Sequence, residues 1–331
     1  MEEESAYERL SDFALGFQSS RIFLTAVELD IFTHVEPGAR TAAEVSSSAG
    51  TSLRGTEILL NALAGLGLLE KSAARYSNTP LTSRFLVAGI PDYAGVGFRH
   101  TANLWRLWSS LNDVVKTGKP QRPPLSEEEA KDSTESFIML MHERARFRAP
   151  KVAEALELTS TNAVLDIGGG PGTHSIAFAE ENPHLCAVIF DLPEVVPIAR
   201  RIVLEAGMQD RITVKPGDYY VDDFGEGYDL AFLSAIIHSN SPDGNKHIFR
   251  KAFDALVAGG RIAVVDFIMN TDKTTPEYGA IFAVNMLVAT DEGNCYSERE
   301  IREWFAETGF INPSIKHEID EDICMMIAIK P

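Results

Sequence analysis

Two short runs hold the residues best placed to do chemistry. Val164-Leu165-Asp166-Ile167-Gly168-Gly169-Gly170-Pro171-Gly172-Thr173-His174 reads as an apolar strand ending in an acid, followed by a turn small enough for backbone to approach a ligand. Phe190-Asp191-Leu192-Pro193 closes a second strand about one βαβ unit later. A pyrophosphate turn needs glycines spaced G-x-G-x-x-G, whereas here they fall at 168, 170 and 172 with Thr at 173. That spacing suits S-adenosylmethionine better, because a methionine tail needs close backbone contact while a downstream acid takes both ribose hydroxyls. The competing reading is a Gly-rich turn with no ligand.

The remaining candidates follow strand ends, where ligands of parallel sheets bind. Asp166, Gly168 and Gly170 follow the first strand. Asp191 suits the ribose diol and Leu192 the adenine face. In Gly217-Asp218-Tyr219, Asp218 can accept from an adenine amino group and Tyr219 can stack on the ring. His238 falls just past a fourth strand, in Ser234-Ala-Ile-Ile-His238-Ser-Asn240, and Asp266 near the end of a fifth. A carboxylate in an apolar strand costs several kcal/mol unless paired, and an imidazole would pair it. Such a histidine can take the proton of a phenol or acidic hydroxyl as its oxygen attacks a sulfonium methyl, with the acid fixing its tautomer. The plainer alternative is a structural histidine. His34, His100, His174, His184, His247 and His317 read as surface or capping residues.

The elements that must hold these residues can be read in outline. At 331 residues the length suggests two domains, and 45% hydrophobic with 24% charged residues is an ordinary globular balance. A net charge of −18 opposes nucleic acid and anionic lipid, leaving a small molecule or a second copy of the chain as partner. Three scattered cysteines, Cys186, Cys295 and Cys324, lack metal spacing and fit a reducing cytoplasm, so no metal is expected. The first residues are acidic where a secretory leader is basic, and no apolar run reaches the ~18 residues of a membrane span.

Residues 1–100 read as a helical, winged-helix-like domain. Thr41 caps a short helix, Ser52–Leu69 is a second helix, and 76–82 is the wing. Its 8 basic and 12 acidic residues lack the basic stripe of a DNA reader. Phe13, Leu15, Phe17, Ile22, Phe23 and Leu24 exceed what one small domain buries, which points to dimerisation. Residues 101–156 form a helical linker that roofs the site, broken by a Pro-rich loop. Trp105, Trp108, Phe137, Met139, Met141 and His142 lie there mainly as core, with one or two lining a pocket. From 157 to 331, strands at 163–167, 186–190, 212–215, 228–234 and 261–268 alternate with helices in an α/β, Rossmann-like arrangement. Runs 314–318 and 323–330 close the sheet as an antiparallel edge pair.

Leu165-Asp166-Ile-Gly168-Gly169-Gly170-Pro-Gly172, Phe190-Asp191-Leu192-Pro193, Gly217-Asp218, Leu233-x-x-Ile236-Ile237-His238 and Ala258-Gly259-Gly260-Arg261, in this order, resemble the class I S-adenosylmethionine-dependent small-molecule O-methyltransferases of the caffeate/hydroxyneurosporene type. The resemblance spans essentially the whole chain. It implies a seven-stranded methyltransferase sheet behind a dimerisation domain, and a homodimer whose N-terminal domains help shape each other's pockets. It also implies a metal-independent reaction with His238 at the base position and Asp266 orienting it. This chain departs from the plant-type pattern in three places. His238-Ser239-Asn240 stands for His-Asp-Trp, Ser234 for a lysine near adenine, and Cys295 for a second acidic partner of the base. The expected activity is methyl transfer to a hydroxyl of a small aromatic or polyketide-like molecule. C-methylation or a non-methylating relative is the nearest alternative, and an S-adenosylmethionine-sensing winged-helix regulator the alternative of another class.

Overall fold

The structure, a computed structural model, describes residues 2–36, 38–122, 124–316, 319 and 322–331, with side chains from residue 7 onward. The chain divides into two compact units, Met1–Trp105 and Arg106–Pro331.

The first unit contains α1 (Glu2–Leu15), α2 (Phe17–Glu28), α3 (Ile31–Val35), β1 (Arg40–Thr41), α4 (Ala42–Ala49), α5 (Leu53–Gly65), β2 (Leu69–Ser72), β3 (Arg75–Asn78), α6 (Pro80–Phe85) and most of α7 (Gly95–Trp108). Thr41 caps α4 reciprocally with Glu44, Gly50 ends it in the left-handed conformation, and Ser52 caps α5. This gives the expected helix-turn-helix, with two bounds corrected. Helix α5 stops at Gly65, because Gly67 adopts φ +73° and Leu69 already pairs in β2. The wing is the β2–β3 hairpin rather than 76–82, since Thr79 caps α6 with Pro80 in its first turn. Val27, Phe32, Val45, Leu60, Leu63 and Tyr76 form the core. Of the apolar residues expected to face a partner, Leu24 is buried and Ile22 and Phe23 lean on this core, whereas Phe13, Leu15 and Phe17 are exposed.

The second unit begins with α8 (Leu111–Thr117) and α9 (Glu127–Leu156), which flank the Pro-rich loop; Ser126 and Glu129 form the capping box of α9. There follow β4 (Ala163–Ile167), α10 (Thr173–Glu181), β5 (Cys186–Asp191), α11 (Val196–Glu205), β6 (Ile212–Pro216), β7 (Tyr228–Ser234), α12 (Pro242–Ala255) and β8 (Leu256–Asp266). The chain closes with β9 (Ile268–Met269), α13 (Glu277–Ala289), β10 (Tyr296–Ser297), α14 (Glu298–Glu307), β11 (Ile311–Lys316) and β12 (Cys324–Ile329). The seven-stranded sheet has the order β11-β12-β8-β7-β4-β5-β6. Its five strands from β6 to β8 are parallel, while β12 runs antiparallel to β8 and β11 antiparallel to β12. Both faces are covered, with Phe178 and Phe232 in one core and Phe190 and Phe249 in the other, so the strands read as near-continuous apolar runs.

Three sequence readings change here. The strand expected at 261–268 begins at Leu256 and ends at Asp266, because Ile268–Met269 leaves to pair in parallel with β10. Of the expected strand 314–318, residues 317 and 318, including His317, lie outside the described residues, and β11 starts earlier, at Ile311. Residues 106–156, read as part of a separate linker, are compact with the sheet, and α9 packs along α10.

Candidate functional site

The order of the strands reverses between β4 and β7, and such a switch point opens a crevice at the carboxyl ends of the strands. Asp166 is the penultimate residue of β4 and is buried. Its Oδ2 accepts the Ser175 hydroxyl of α10 at 2.6 Å, and the absent side chain of Gly169 leaves room for the carboxylate, since a Cβ there would lie 2.6 Å from it. Burial pushes its pKa up to about 7, opposed by the Ser175 bond and reinforced by the charge of Asp191. Asp166 therefore braces the glycine turn from beneath.

Gly168 and Gly170 adopt φ +64° and +53°, which favour glycine. A Cβ on Gly168 would meet Ile236 at 2.3 Å, so the glycine turn packs directly on the segment leading to His238. Asp191 is gripped by backbone: Gly170 N–H donates to Oδ2 and Leu192 N–H to Oδ1, both at 2.7 Å. Burial raises its pKa, and the two N–H groups draw it back. Each carboxylate oxygen keeps a second acceptor lone pair, the pattern a vicinal diol requires. Leu192 is 41% exposed beside it.

The other cofactor candidates lie on the next strand ends. Asp218 is half-buried and receives the Tyr220 N–H on Oδ1 at 2.8 Å. The Tyr219 ring edge comes within 3.9 Å of the Gly168 Cβ position, and burial pushes its hydroxyl up to about 12. Ser234 ends β7, half-buried. Ala235, next along, holds φ +59°, a sparsely populated conformation for alanine that turns the chain sharply off the strand.

That turn delivers His238, 7% exposed, against the end of β8. His238 Nδ1 lies 2.7 Å from Asp266 Oδ1, which also accepts the Phe267 N–H at 2.8 Å. An Nδ1–H donated to the carboxylate leaves Nε2 with a free lone pair. Phe282 of α13 packs edge-on against the imidazole at 4.9 Å and against Phe267 at 4.6 Å, and Tyr278 extends this aromatic wall. Cys295 is buried nearby; burial first, and the charge of Asp266 second, push its thiol up to about 12, so it is a neutral group where an acid was expected.

Several bonds absent from the sequence reading hold the site together. The side-chain oxygen of Asn240 accepts the hydroxyls of Tyr219 and Tyr220, and its carbonyl accepts that of Tyr296. Asn245 donates to the Ile237 carbonyl, and Asn294 N–H to the His238 carbonyl. No short-range sequence pattern announces these bonds, which join residues 8 to 56 positions apart. His174, expected at the surface, is instead buried between Phe178 and Phe232, with its pKa lowered to about 3 by burial and by Arg148. Of the helical residues expected to be core or pocket, His142 bonds Thr173 at 2.8 Å and lines a cavity of about 340 Å³ with Arg146, Glu180 and Glu205, while Trp108 donates to Asn285. A cavity of about 430 Å³ along α14 holds none of the candidate residues.

Comparison with known proteins matches residues 108–311 to the O-methyltransferase domain and residues 11–88 to the O-methyltransferase dimerisation domain. The chain is 31% identical over 309 residues to the 3-hydroxy-5-methyl-1-naphthoate 3-O-methyltransferase of Streptomyces sahachiroi, covering 91% of this chain and 88% of that protein. It is 28% identical over 334 residues to the L-tyrosine C(3)-methyltransferase of Streptomyces lavendulae, covering 95% and 89%. Among solved structures, human N-acetylserotonin methyltransferase in complex with S-adenosylmethionine superposes with a TM-score of 0.87 at 26% identity, covering 98% of this chain and 97% of that one.

Proposed function

The chain belongs to the S-adenosylmethionine-dependent O-methyltransferase family, and from that premise we propose that it methylates a hydroxyl of a small aromatic or polyketide-like molecule with His238 as general base. The buried His238–Asp266 pair, 2.7 Å apart beside the cofactor crevice, carries this reading. Bound S-adenosylmethionine supplies an electrophilic methyl on a sulfonium. In the proposed division of labour, Gly168 and Gly170 admit its amino-acid end, Asp191 holds the ribose diol, Leu192 and Tyr219 flank the adenine, and Asp218 accepts from the adenine amino group. Ser234 lines the same edge. Asp166 acts through the glycine turn it braces.

His238 accepts the acceptor's hydroxyl proton at Nε2 as the oxygen gains nucleophilicity, and Asp266 stabilises the imidazolium that forms. The wall of Phe267, Tyr278 and Phe282 suits a planar acceptor, which offset or edge-on ring contacts would orient. The proposed reaction is metal-independent. The likeness to an L-tyrosine C(3)-methyltransferase favours, as second reading, methylation at a ring carbon ortho to a phenol, in which the same base would take the phenol proton as that carbon attacks the methyl, and the ring C–H proton would then leave as the oxygen is reprotonated and the ring regains aromaticity. Residues 1–100 are proposed to dimerise, 101–156 to roof the site and 157–331 to catalyse. His238→Ala should leave S-adenosylhomocysteine affinity nearly unchanged while slowing methyl transfer about 10²–10⁴-fold. Unchanged turnover on an identified acceptor would remove His238 from the base role.

A further inference from the structure

One polar side chain near the site gathers bonds from several segments. Asn240 is 4% exposed. Its Oδ1 accepts from Tyr220 at 2.6 Å and from Tyr219 at 3.1 Å, its Nδ2 donates to the Ile236 carbonyl at 2.9 Å, and its own carbonyl accepts from Tyr296. The partners come from three separate segments. Tyr219 and Tyr220 follow β6 at the cofactor edge, Ile236 begins the turn bearing His238, and Tyr296 opens β10, two residues after the Asn294 N–H that bonds the His238 carbonyl at 2.9 Å.

Both lone pairs of one amide oxygen are thus spent on two adjacent tyrosines, and the same side chain closes the 236–240 turn. A buried amide oxygen left without these donors, or two phenols left without their acceptor, would forfeit more than a typical surface hydrogen bond. No other described side chain in the crevice bonds both the segment after β6 and the turn before α12, so what orders one orders the other.

We propose that Asn240 is a positioning residue that ties the cofactor edge at Tyr219 to the turn carrying His238, so that occupation of the cofactor site stiffens the base-bearing turn. This rests on the proposed placement of the cofactor at Tyr219. It does not depend on His238 being the base, because its test needs no methyl acceptor. Hydrogen exchange of the 236–240 amides is followed with and without S-adenosylhomocysteine, and affinity for that ligand is measured by calorimetry. In the wild-type protein the ligand should slow exchange across 236–240. Asn240→Leu, of similar volume, should weaken affinity about tenfold, because only a fraction of the molecules would then hold Tyr219 in the binding-competent arrangement, and should abolish the ligand-dependent protection. Tyr219→Phe combined with Tyr220→Phe keeps both rings and the volume of Asn240 but removes the two donors, and it should lose the protection as Asn240→Leu does, which a merely volumetric role would not predict. Ligand-dependent protection of 236–240 that persists in folded Asn240→Leu overturns the proposal, as does its absence from the wild type. If Tyr219→Ala leaves affinity unchanged, the cofactor placement fails, and the proposal with it; if instead only His238→Ala proves harmless, the base assignment fails alone.

Discussion

At the scale of single residues, burial sets two pKa values in opposite directions eight positions apart. Asp166 rises to about 7 and His174 falls to about 3, both chiefly because charge is costly inside the core. The raised acid holds a proton in the folded state that the unfolded chain has released, so its contribution favours folding at low pH and is lost as pH rises from about 3.9 to about 7. The depressed histidine does the reverse. It is neutral when folded and charged when unfolded, so stability is lost as pH falls from 6.5 toward about 3. Between roughly pH 4 and 6.5 the two effects cancel. His174→Leu removes one of them, and its stability should then decline with rising pH relative to wild type by up to one proton's worth, about 1.4 kcal/mol per pH unit. Urea unfolding at several pH values across that window measures the difference in slope; parallel curves for the two proteins would refute the buried, neutral state of His174.

At the scale of elements, the crevice depends on tight turns that follow parallel strands. Gly168 is a demanding position, combining φ +64° with a Cβ site 2.3 Å from Ile236. Gly207 has a similar φ of +69° but open space around it. Gly168→Ala should therefore destabilise by about 2–4 kcal/mol, from backbone strain plus overpacking, whereas Gly207→Ala should show only the strain of about 1–2 kcal/mol. Because Gly168 is proposed to admit the amino-acid end of the cofactor, Gly168→Ala should also weaken S-adenosylhomocysteine binding more than tenfold while Gly207→Ala leaves it alone. Thermal melts and calorimetry on the pair separate the terms, and equal behaviour of the two variants would show that the close approach to Ile236 does not matter. The same scale explains where strand bounds departed from expectation. Leu256–Asp266 is continuous because Arg261 onward pairs with both β7 and β12, and it stops at Asp266 because the next residues are captured by β10. Apolar content alone does not distinguish these two sheets.

For the whole molecule, the dimerisation domain carries a surface that an isolated chain leaves uncovered. Tyr7, Leu10, Phe13, Leu15 and Phe17 are each more than half exposed along α1 and the start of α2. Apolar area of this extent on consecutive helical turns is the mark of an interface. A homodimer is accordingly proposed, and light scattering at micromolar concentration should return twice the 36.3 kDa chain mass. Phe13→Asp combined with Phe17→Asp should shift the mass toward the monomer. A net charge of −18 on each copy makes the pair repel, so added salt should tighten the dimer. A wild-type monomer under these conditions would contradict the proposal. Among the described residues no helix is long and apolar enough to cross a membrane.

The sequence by itself determined the architecture and the location of the crevice. Both are written in local signals: glycines at 168, 170 and 172, acids at strand ends, capping residues such as Thr41 and Ser52, and short apolar strands alternating with helices. These signals act over a few residues, so a linear reading captures them. What only the tertiary structure decided is which side chains meet. Asn240 finds Tyr219, Tyr220 and Tyr296 across 20 to 56 positions, Phe282 arrives beside His238 from α13, and Ser175 reaches back beneath the glycine turn to Asp166. His174 follows the same logic: its place in a helix was legible, but its burial between Phe178 and Phe232 depends on how α10 is rotated against the sheet. Such pairings are settled by packing among distant segments, where one satisfied hydrogen bond or one excluded water outweighs any local preference.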